Sequence, residues 1–190
     1  MTLNDKFESR VLKITVDEQE VYILRDFFSP DTHIALLTEA RNRTYADSWD
    51  KIDHPAQALR SILRPTDSDV LDELYTYLNQ PSSLDRLSKV FGNIHKADPV
   101  IWWDHEGYVL PMHTDNPSLK KTIQIYLSEE EYPELGTSIG GRDGELVFTL
   151  PFKGNTGYYF PNASDIQHGL QTPIPAGIER FSIYIYLYGN

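Results

Sequence analysis

The chain has no cysteine among its 190 residues. This absence excludes disulfide bonds, thiolate zinc sites and cysteine nucleophiles, and it suits a reducing compartment. Long apolar runs are missing as well: none approaches the ~20 residues needed to cross a bilayer, so we expect no membrane partner. The first residues, MTLNDKFESR, lack the apolar core of a signal peptide, and we therefore expect a cytoplasmic protein.

Basic residues are scarce, since 17 lysines and arginines are set against 28 aspartates and glutamates, for a formal net charge of −11. An acidic surface repels phosphate backbones, and no basic stripe compensates, so we expect no nucleic-acid partner. The charge otherwise indicates solubility and does not identify a substrate. The length and the 40% of hydrophobic residues predict one globular domain over 1–190.

Helix signals are concentrated in the first half of the chain. Ser29 as N-cap, Pro30 at the first helical position and Asp31 near the helix dipole predict a helix start. Two further helices are predicted at 69–79 and 82–92, the latter ending at a glycine. The first helix carries an apolar stripe that we expect to be buried: Ile34, Leu36, Leu37 and Ala40.

The remainder is rich in short β segments separated by glycine, proline and asparagine. Strands are predicted at 11–16, 21–24, 100–103, 108–110, 122–127, 145–150, 157–160 and 181–188. Many short strands with turn signals between them are typical of a sandwich or barrel. We therefore predict an α+β, mainly β, fold: a double-stranded β-helix, or jelly roll, over about 98–190, supported by helices within about 26–92.

A candidate metal site is formed by His113, Asp115 and the more distant His168. Residues i and i+2 of a strand project to the same face, so one metal could contact both members of the His-x-Asp pair. Two imidazoles and one carboxylate form the facial triad of non-haem iron(II) oxygenases. The alternative for the pair is a surface histidine hydrogen-bonded to an aspartate, and for His168 a solvated position in the turn-like segment 164–169.

Arg180 opens a strand of alternating pattern, RFSIYIYLY. Strand periodicity places Arg180 on the face of Ser182, and the opposite face carries only apolar residues. An arginine that faces a barrel interior is costly unless it is paired. The far carboxylate of 2-oxoglutarate would be a bidentate partner with fixed geometry. The alternative is an internal salt bridge to an aspartate or glutamate.

Three other segments have simpler interpretations. The run 104–106, Asp-His-Glu, is expected to be a solvated turn, because neighbouring side chains of a strand point to opposite faces. Gly140, Gly141 and Gly144 favour a hairpin and not a phosphate-binding loop, since no helix follows. The weakly periodic segment 44–65 is predicted to be a lid over the site.

Several of these motifs together resemble a known family. They are GYVLPMHTDNP at 107–117, IYLS at 125–128, GELVF at 144–148, and His168 followed by RFS at 180–182. The stretch RDFFSPDTHIALL at 25–37 adds a strand-then-helix start. In these features the chain resembles the 2-oxoglutarate/Fe(II)-dependent oxygenases, and within them the prolyl-hydroxylase-like group.

The resemblance implies a site and an activity. The implied iron ligands are His113 and His168, through Nε2, and Asp115. Arg180, helped by Ser182 and Tyr126, would hold the C5 carboxylate of 2-oxoglutarate. The expected reaction uses O2 and 2-oxoglutarate to hydroxylate an unactivated C–H bond; related halogenases lack the carboxylate ligand, so Asp115 favours hydroxylation.

The substrate is left open by the sequence. A prolyl residue in a peptide or protein is one candidate, and a free amino acid or natural-product intermediate is the other. A non-catalytic jelly-roll protein that binds a metal or a carboxylate is an alternative of another class. A nucleic-acid demethylase is disfavoured by the acidic composition.

Overall fold

Two antiparallel sheets and three α-helices make up the computed structural model of the protein. The structure describes residues 1–44, 49–51, 58–115, 121–161 and 166–189. The fold is mainly β with helices on one side, as the sequence predicted. None of the described helices combines the length and apolarity that a membrane span requires.

The three helices begin and end close to their predicted bounds: α1 Pro30–Thr44, α2 Asp69–Leu78 and α3 Pro81–Phe91. Gly92 ends α3 with a φ of 88°, in the left-handed region where glycine carries no Cβ penalty. Leu36, Leu37 and Ala40 of α1 are buried as expected. Ile34 is 60% exposed, so its place in the stripe was predicted wrongly.

Ser29 caps α1 through its hydroxyl, which accepts a hydrogen bond of 3.3 Å from the Thr32 N–H. Replacing Ser29 by alanine is expected to lower the free energy of unfolding by about 0.5–2 kcal/mol, because an N-terminal N–H of the helix loses its partner. Urea denaturation would measure the change, with Ser29→Asn as the control that keeps a capping oxygen. Equal stabilities of Ser29→Ala and the unsubstituted protein would contradict this role.

The strands are, in chain order, β1 Val11–Val16, β2 Gln19–Arg25, β3 Asp50–Lys51, β4 Arg60–Leu63, β5 Ile94–Asp104, β6 Leu110–His113, β7 Lys121–Leu127, β8 Glu131–Gly140, β9 Leu146–Lys153, β10 Thr156–Tyr159, β11 Gln167–Leu170 and β12 Arg180–Gly189. The large sheet has eight strands in the order β1-β2-β10-β7-β12-β5-β4-β3. The small sheet has the order β6-β11-β8-β9. The large sheet thus includes β1 to β4, which precede the expected jelly-roll core.

Strand β12 lies in the middle of the large sheet, between β7 and β5. Its apolar face packs with the buried side chains of the helices in the main core, as the alternation predicted: Phe181, Ile183, Ile185 and Leu187. Arg180, Ser182 and Tyr184 alternate with them and therefore point to the other side of the sheet. The strand thereby separates the helix-side core from the site.

Four of the observed strands were not expected: β3, β4, β8 and β11. β8 contains Pro133 and Gly136, which count against a strand, but a bulge between Tyr132 and Thr137 accommodates them. A Cβ on Gly136 would lie 1.5 Å from the carbonyl oxygen of Leu150, so this close approach of two backbones requires glycine. β11 replaces the predicted turn around His168.

The other two unexpected strands, β3 and β4, lie within the segment predicted to be a lid. Residues 45–48 and 52–57 of that segment lie outside the described residues. All four residues of β4 are buried, and the strand pairs with β5 in the large sheet. The lid prediction is therefore wrong for Arg60–Leu63, because these residues complete a sheet.

Candidate functional site

The structure brings the three predicted metal ligands together, and we call His113, Asp115 and His168 the metal triad. His113 ends β6, and His168 lies directly opposite it on the adjacent strand β11. Asp115 follows two residues after the end of β6, and its Oδ1 lies 3.6 Å from His113 Nε2 and 3.7 Å from His168 Nε2. One ligand atom from each residue lies within 4.8 Å of the other two.

Backbone carbonyl groups orient both imidazoles of the triad. Nδ1 of His113 lies 2.9 Å from the carbonyl oxygen of Pro111, and Nδ1 of His168 lies 3.1 Å from that of Ile166. A carbonyl oxygen can only accept, so each Nδ1 carries the proton and each Nε2 presents its lone pair to the cluster. This arrangement is typical of metal-binding histidines, and ligation through Nε2 stays a prediction.

The electrostatics of the triad suit a cation. Contact with the Asp115 carboxylate raises the pKa of His113. Burial acts to raise the pKa of Asp115, but the hydrogen bond from His113 and the electrostatic attraction of both imidazoles lower it by more, so the net shift is downward. Burial lowers the pKa of His168 and so favours its neutral form. The lowered pKa values favour an ionised Asp115 and a neutral His168, the states that bind a divalent metal, whereas a metal would have to displace the proton that Asp115 favours on His113. The donor set of two imidazoles and one carboxylate fits a ferrous ion.

A narrow cavity of about 20 Å³, the inner pocket, extends from His168 between the two sheets. It is lined by Arg60, Asp104, Tyr108, Leu110, Gln124, Thr137, Tyr158, His168, Gly169, Leu170, Arg180 and Tyr184. This volume holds about one water molecule. The pocket is thus a cleft with charged and polar walls, and one ligand of the metal triad, His168, lines it.

Arg180 lies in this pocket, facing inward as the strand period predicted, and only 3% of it is exposed. Its Nε donates a 2.7 Å hydrogen bond to the carbonyl oxygen of Leu135 on β8. Its Nη1 forms an ion pair with Asp104 Oδ2. The internal salt bridge that the sequence analysis left as an alternative is therefore present. Both of its residues, Arg180 and Asp104, also line the inner pocket.

The prediction for Asp104 is the clearest error of the sequence interpretation. A solvated turn was expected, but Asp104 ends β5 and is fully buried. β5 is an inner strand: Asp104 lies opposite Arg180 on β12 and opposite Arg60 on β4. Its carboxylate contacts both guanidinium groups, and Arg60 Nε donates to Oδ1 at 2.5 Å.

Ser182 and Tyr126, predicted to assist Arg180, are both fully buried but are not among the described residues that line the pocket. Ser182 Oγ accepts a 3.0 Å hydrogen bond from Gln124 Nε2. The Tyr126 hydroxyl donates to Thr137 Oγ1 at 2.7 Å and accepts from the Thr137 N–H at 2.8 Å. Burial raises the pKa of Tyr126 to about 12. Their roles toward a carboxylate stay predictions.

The pocket residues that the sequence interpretation did not predict include Arg60, Asp104, Tyr108 and Tyr184. Tyr184 lies on the Arg180 face of β12, and the alternation could have revealed it. Arg60 had no local signal, because β4 is short and buried on both faces and so lacks a polar–apolar alternation. Only the pairing of β4 with β5 shows that Arg60 reaches the pocket.

No family model and no curated protein sequence matches this chain. The chain is similar in structure to a prolyl 4-hydroxylase from Pseudomonas putida, with a TM-score of 0.66, 16% identity, and coverage of 90% of this chain and 94% of that one. A Trichoplax adhaerens prolyl hydroxylase, solved with a hypoxia inducible factor peptide fragment, is similar with a TM-score of 0.63 and 12% identity, and the match covers 89% of this chain and 83% of that one. HygX from Streptomyces hygroscopicus, solved with nickel, 2-oxoglutarate and hygromycin B, is similar with a TM-score of 0.59 and 11% identity, and the match covers 89% of this chain and 83% of that one.

These similarities show the fold. The chain shares its double-stranded β-helix fold with these solved proteins, among them two prolyl hydroxylases and an oxidoreductase of the 2OG-Fe(II) oxygenase family from Burkholderia pseudomallei.

Proposed function

We propose that this protein is an Fe(II)- and 2-oxoglutarate-dependent dioxygenase that hydroxylates an unactivated C–H bond. One observation carries the proposal: the metal triad shares His168 with the lining of a pocket that also contains the buried Arg180. A ligand in this pocket would therefore lie beside both a metal ligand and a buried guanidinium group. Solved proteins of the same fold support the proposal.

The metal triad and Arg180 would have different roles in this reaction. Bound iron and 2-oxoglutarate would together supply the oxidising chemistry, in which O2 is consumed, 2-oxoglutarate is converted to succinate and CO2, and one oxygen atom enters the C–H bond. His113, Asp115 and His168 would hold the metal through three ligand atoms, which would leave further coordination positions for co-substrate and O2. Arg180 would hold the far carboxylate, with the buried walls excluding water.

The present pocket, at about 20 Å³, is too small for 2-oxoglutarate. Side chains around Arg180 must therefore rearrange when the co-substrate binds. The ion pair between Arg180 and Asp104 is the contact that the incoming carboxylate would replace, since both anions compete for the same guanidinium group.

For the substrate we propose a prolyl residue in a peptide or protein, with a free amino acid or natural product as the alternative. The Trichoplax neighbour was solved with a peptide and HygX with hygromycin B, so the fold is compatible with both. About a third of the His113 and Asp115 side chains is exposed, which supports approach of the substrate from solvent on that side.

The absence of cysteine supports a cytoplasmic location.

The proposal is tested by adding Fe(II) and 2-oxoglutarate to the protein without oxygen and recording the visible charge-transfer band of the chelate. A band that decays on admission of O2, with formation of succinate, is expected. A protein that binds the metal but gives neither band nor succinate would instead be a non-catalytic jelly-roll protein.

Replacing Arg180 by alanine is expected to weaken 2-oxoglutarate binding by about 2–5 kcal/mol, the range for truncating one partner of a buried charge pair. Titration of the charge-transfer band measures the affinity. Arg10→Ala is the matched control, because Arg10 is an exposed arginine paired with Asp26 far from the site. Unchanged affinity in Arg180→Ala would remove this residue from the co-substrate site.

A further inference from the structure

The inner pocket contains three buried charges in register on neighbouring strands. Arg60, Asp104 and Arg180 face one another across β4, β5 and β12, and they are 7%, 0% and 3% exposed. Both arginines contact the same carboxylate, Arg60 through Oδ1 and Arg180 through Oδ2. Two guanidinium charges against one carboxylate leave the cluster with one surplus positive charge.

The surplus charge is held inside the pocket. Among the described residues that line the pocket, Asp104 is the only acid. Burial disfavours the charged form of each arginine, but the attraction of Asp104 outweighs it and raises the pKa of both, so both remain cations. A buried unpaired charge is unfavourable, and an anionic ligand would neutralise it.

Arg60 is fixed in place by aromatic neighbours. Its guanidinium carbon lies 4.2 Å from the centroid of the Trp102 ring and 5.0 Å from that of Tyr108. Its Nη2 also donates a 3.3 Å hydrogen bond to the Tyr184 hydroxyl. These contacts position Arg60 as a permanent partner of Asp104.

A second observation points to a polar ligand in the same place. The Tyr108 hydroxyl lines the pocket beside Arg60, is buried, and has no hydrogen-bond partner within the part of the chain that the structure describes. Buried hydroxyl groups are nearly always hydrogen-bonded. A carboxylate bound in the pocket would accept from this group.

We infer that Arg60 supplies the net positive charge by which the pocket recognises the far carboxylate of 2-oxoglutarate. Without Arg60, Asp104 would cancel the charge of Arg180, and the pocket would offer a neutral pair to an anion. With Arg60, the carboxylate of the ligand replaces Asp104 at Arg180 while Asp104 stays paired with Arg60. Arg60 is thus a positioning residue for the co-substrate, and the inference rests on the proposed function.

The test is calorimetric titration of the Fe(II)-loaded protein with 2-oxoglutarate under anaerobic conditions. Arg60→Met, which keeps an unbranched, flexible side chain without the charge, is expected to bind 2-oxoglutarate about 30-fold more weakly or worse, the low end of the cost of truncating a buried charge partner. Binding of 2-oxopentanoate, which lacks the far carboxylate, should change by less than about threefold, because only the carboxylate interacts with the cluster charge.

The double variant Arg60→Met/Asp104→Asn provides the decisive comparison. It removes one positive and one negative charge, so that Arg180 remains as the single charge. The net charge of the cluster is then again +1, as in the unsubstituted protein. Its affinity for 2-oxoglutarate is expected to recover by about tenfold or more over Arg60→Met. Arg60→Lys, which keeps the charge, should bind 2-oxoglutarate nearly as well as the unsubstituted protein.

The outcomes separate this inference from the proposed function. If the unsubstituted protein binds Fe(II) but not 2-oxoglutarate, the proposed function fails. If it binds 2-oxoglutarate and Arg60→Met binds it equally well, or the double variant shows no recovery, the inference about Arg60 is overturned. Melting temperatures verify folding, and Arg60→Gln is the second neutral variant should Arg60→Met not fold.

Discussion

Replacing Asp104 by alanine is expected to lower the free energy of unfolding by about 3–5 kcal/mol, although Asp104 lies in no hydrophobic cluster. The substitution would leave Arg60 and Arg180 buried next to each other with no anion between them. Two uncompensated guanidinium charges in a pocket of low dielectric repel each other and lose the ion pairs that offset their burial. The strand ends of β4, β5 and β12 would separate as a result.

Urea denaturation of Asp104→Ala measures this effect. Asp98→Ala is the matched control, because Asp98 is also an aspartate of β5 in an ion pair, with Lys96 at 2.9 Å, but lies nearer the surface. The control is expected to cost less than about 1 kcal/mol. Removing Arg60 as well should restore part of the stability lost in an Asp104 variant, since it relieves the repulsion. Equal losses for Asp98→Ala and Asp104→Ala would show that the buried charge cluster contributes nothing to folding.

Replacing His113 by alanine is expected to abolish turnover and stoichiometric binding of Fe(II). His113 contributes one of three ligand atoms, and the remaining two, on Asp115 and His168, leave neither the affinity nor the geometry of a facial site. The fold should persist, because the His113 side chain is 37% exposed at the end of a strand.

Iron titration together with succinate formation measures both losses in His113→Ala. His95→Ala serves as control, since His95 is an exposed histidine of β5 outside the triad. Retained activity with one bound iron per chain in His113→Ala would mean that the metal lies elsewhere. Added imidazole gives a further check, because it should restore part of the metal binding if the missing ligand atom is the only defect.

The sequence by itself determined the features that depend on neighbours along the chain. Helix α1 begins where Ser29 and Pro30 place it, since capping and a preset φ act within one turn. The two faces of β12 follow from a period of two, which also placed Arg180 inward. His113 and Asp115 are close in sequence, and their shared motif indicated a metal centre before any pairing of strands was known.

The tertiary structure alone decided the features that depend on strand pairing. Asp104 looks solvated in the sequence, yet pairing of β5 with β4 and β12 buries it between two arginines. Strand β8 forms despite proline and glycine, because a bulge and a close backbone approach to β9 accommodate them. The charge balance of the inner pocket has the same origin: three residues far apart in the chain meet only when strand register aligns them, and no local pattern encodes that register.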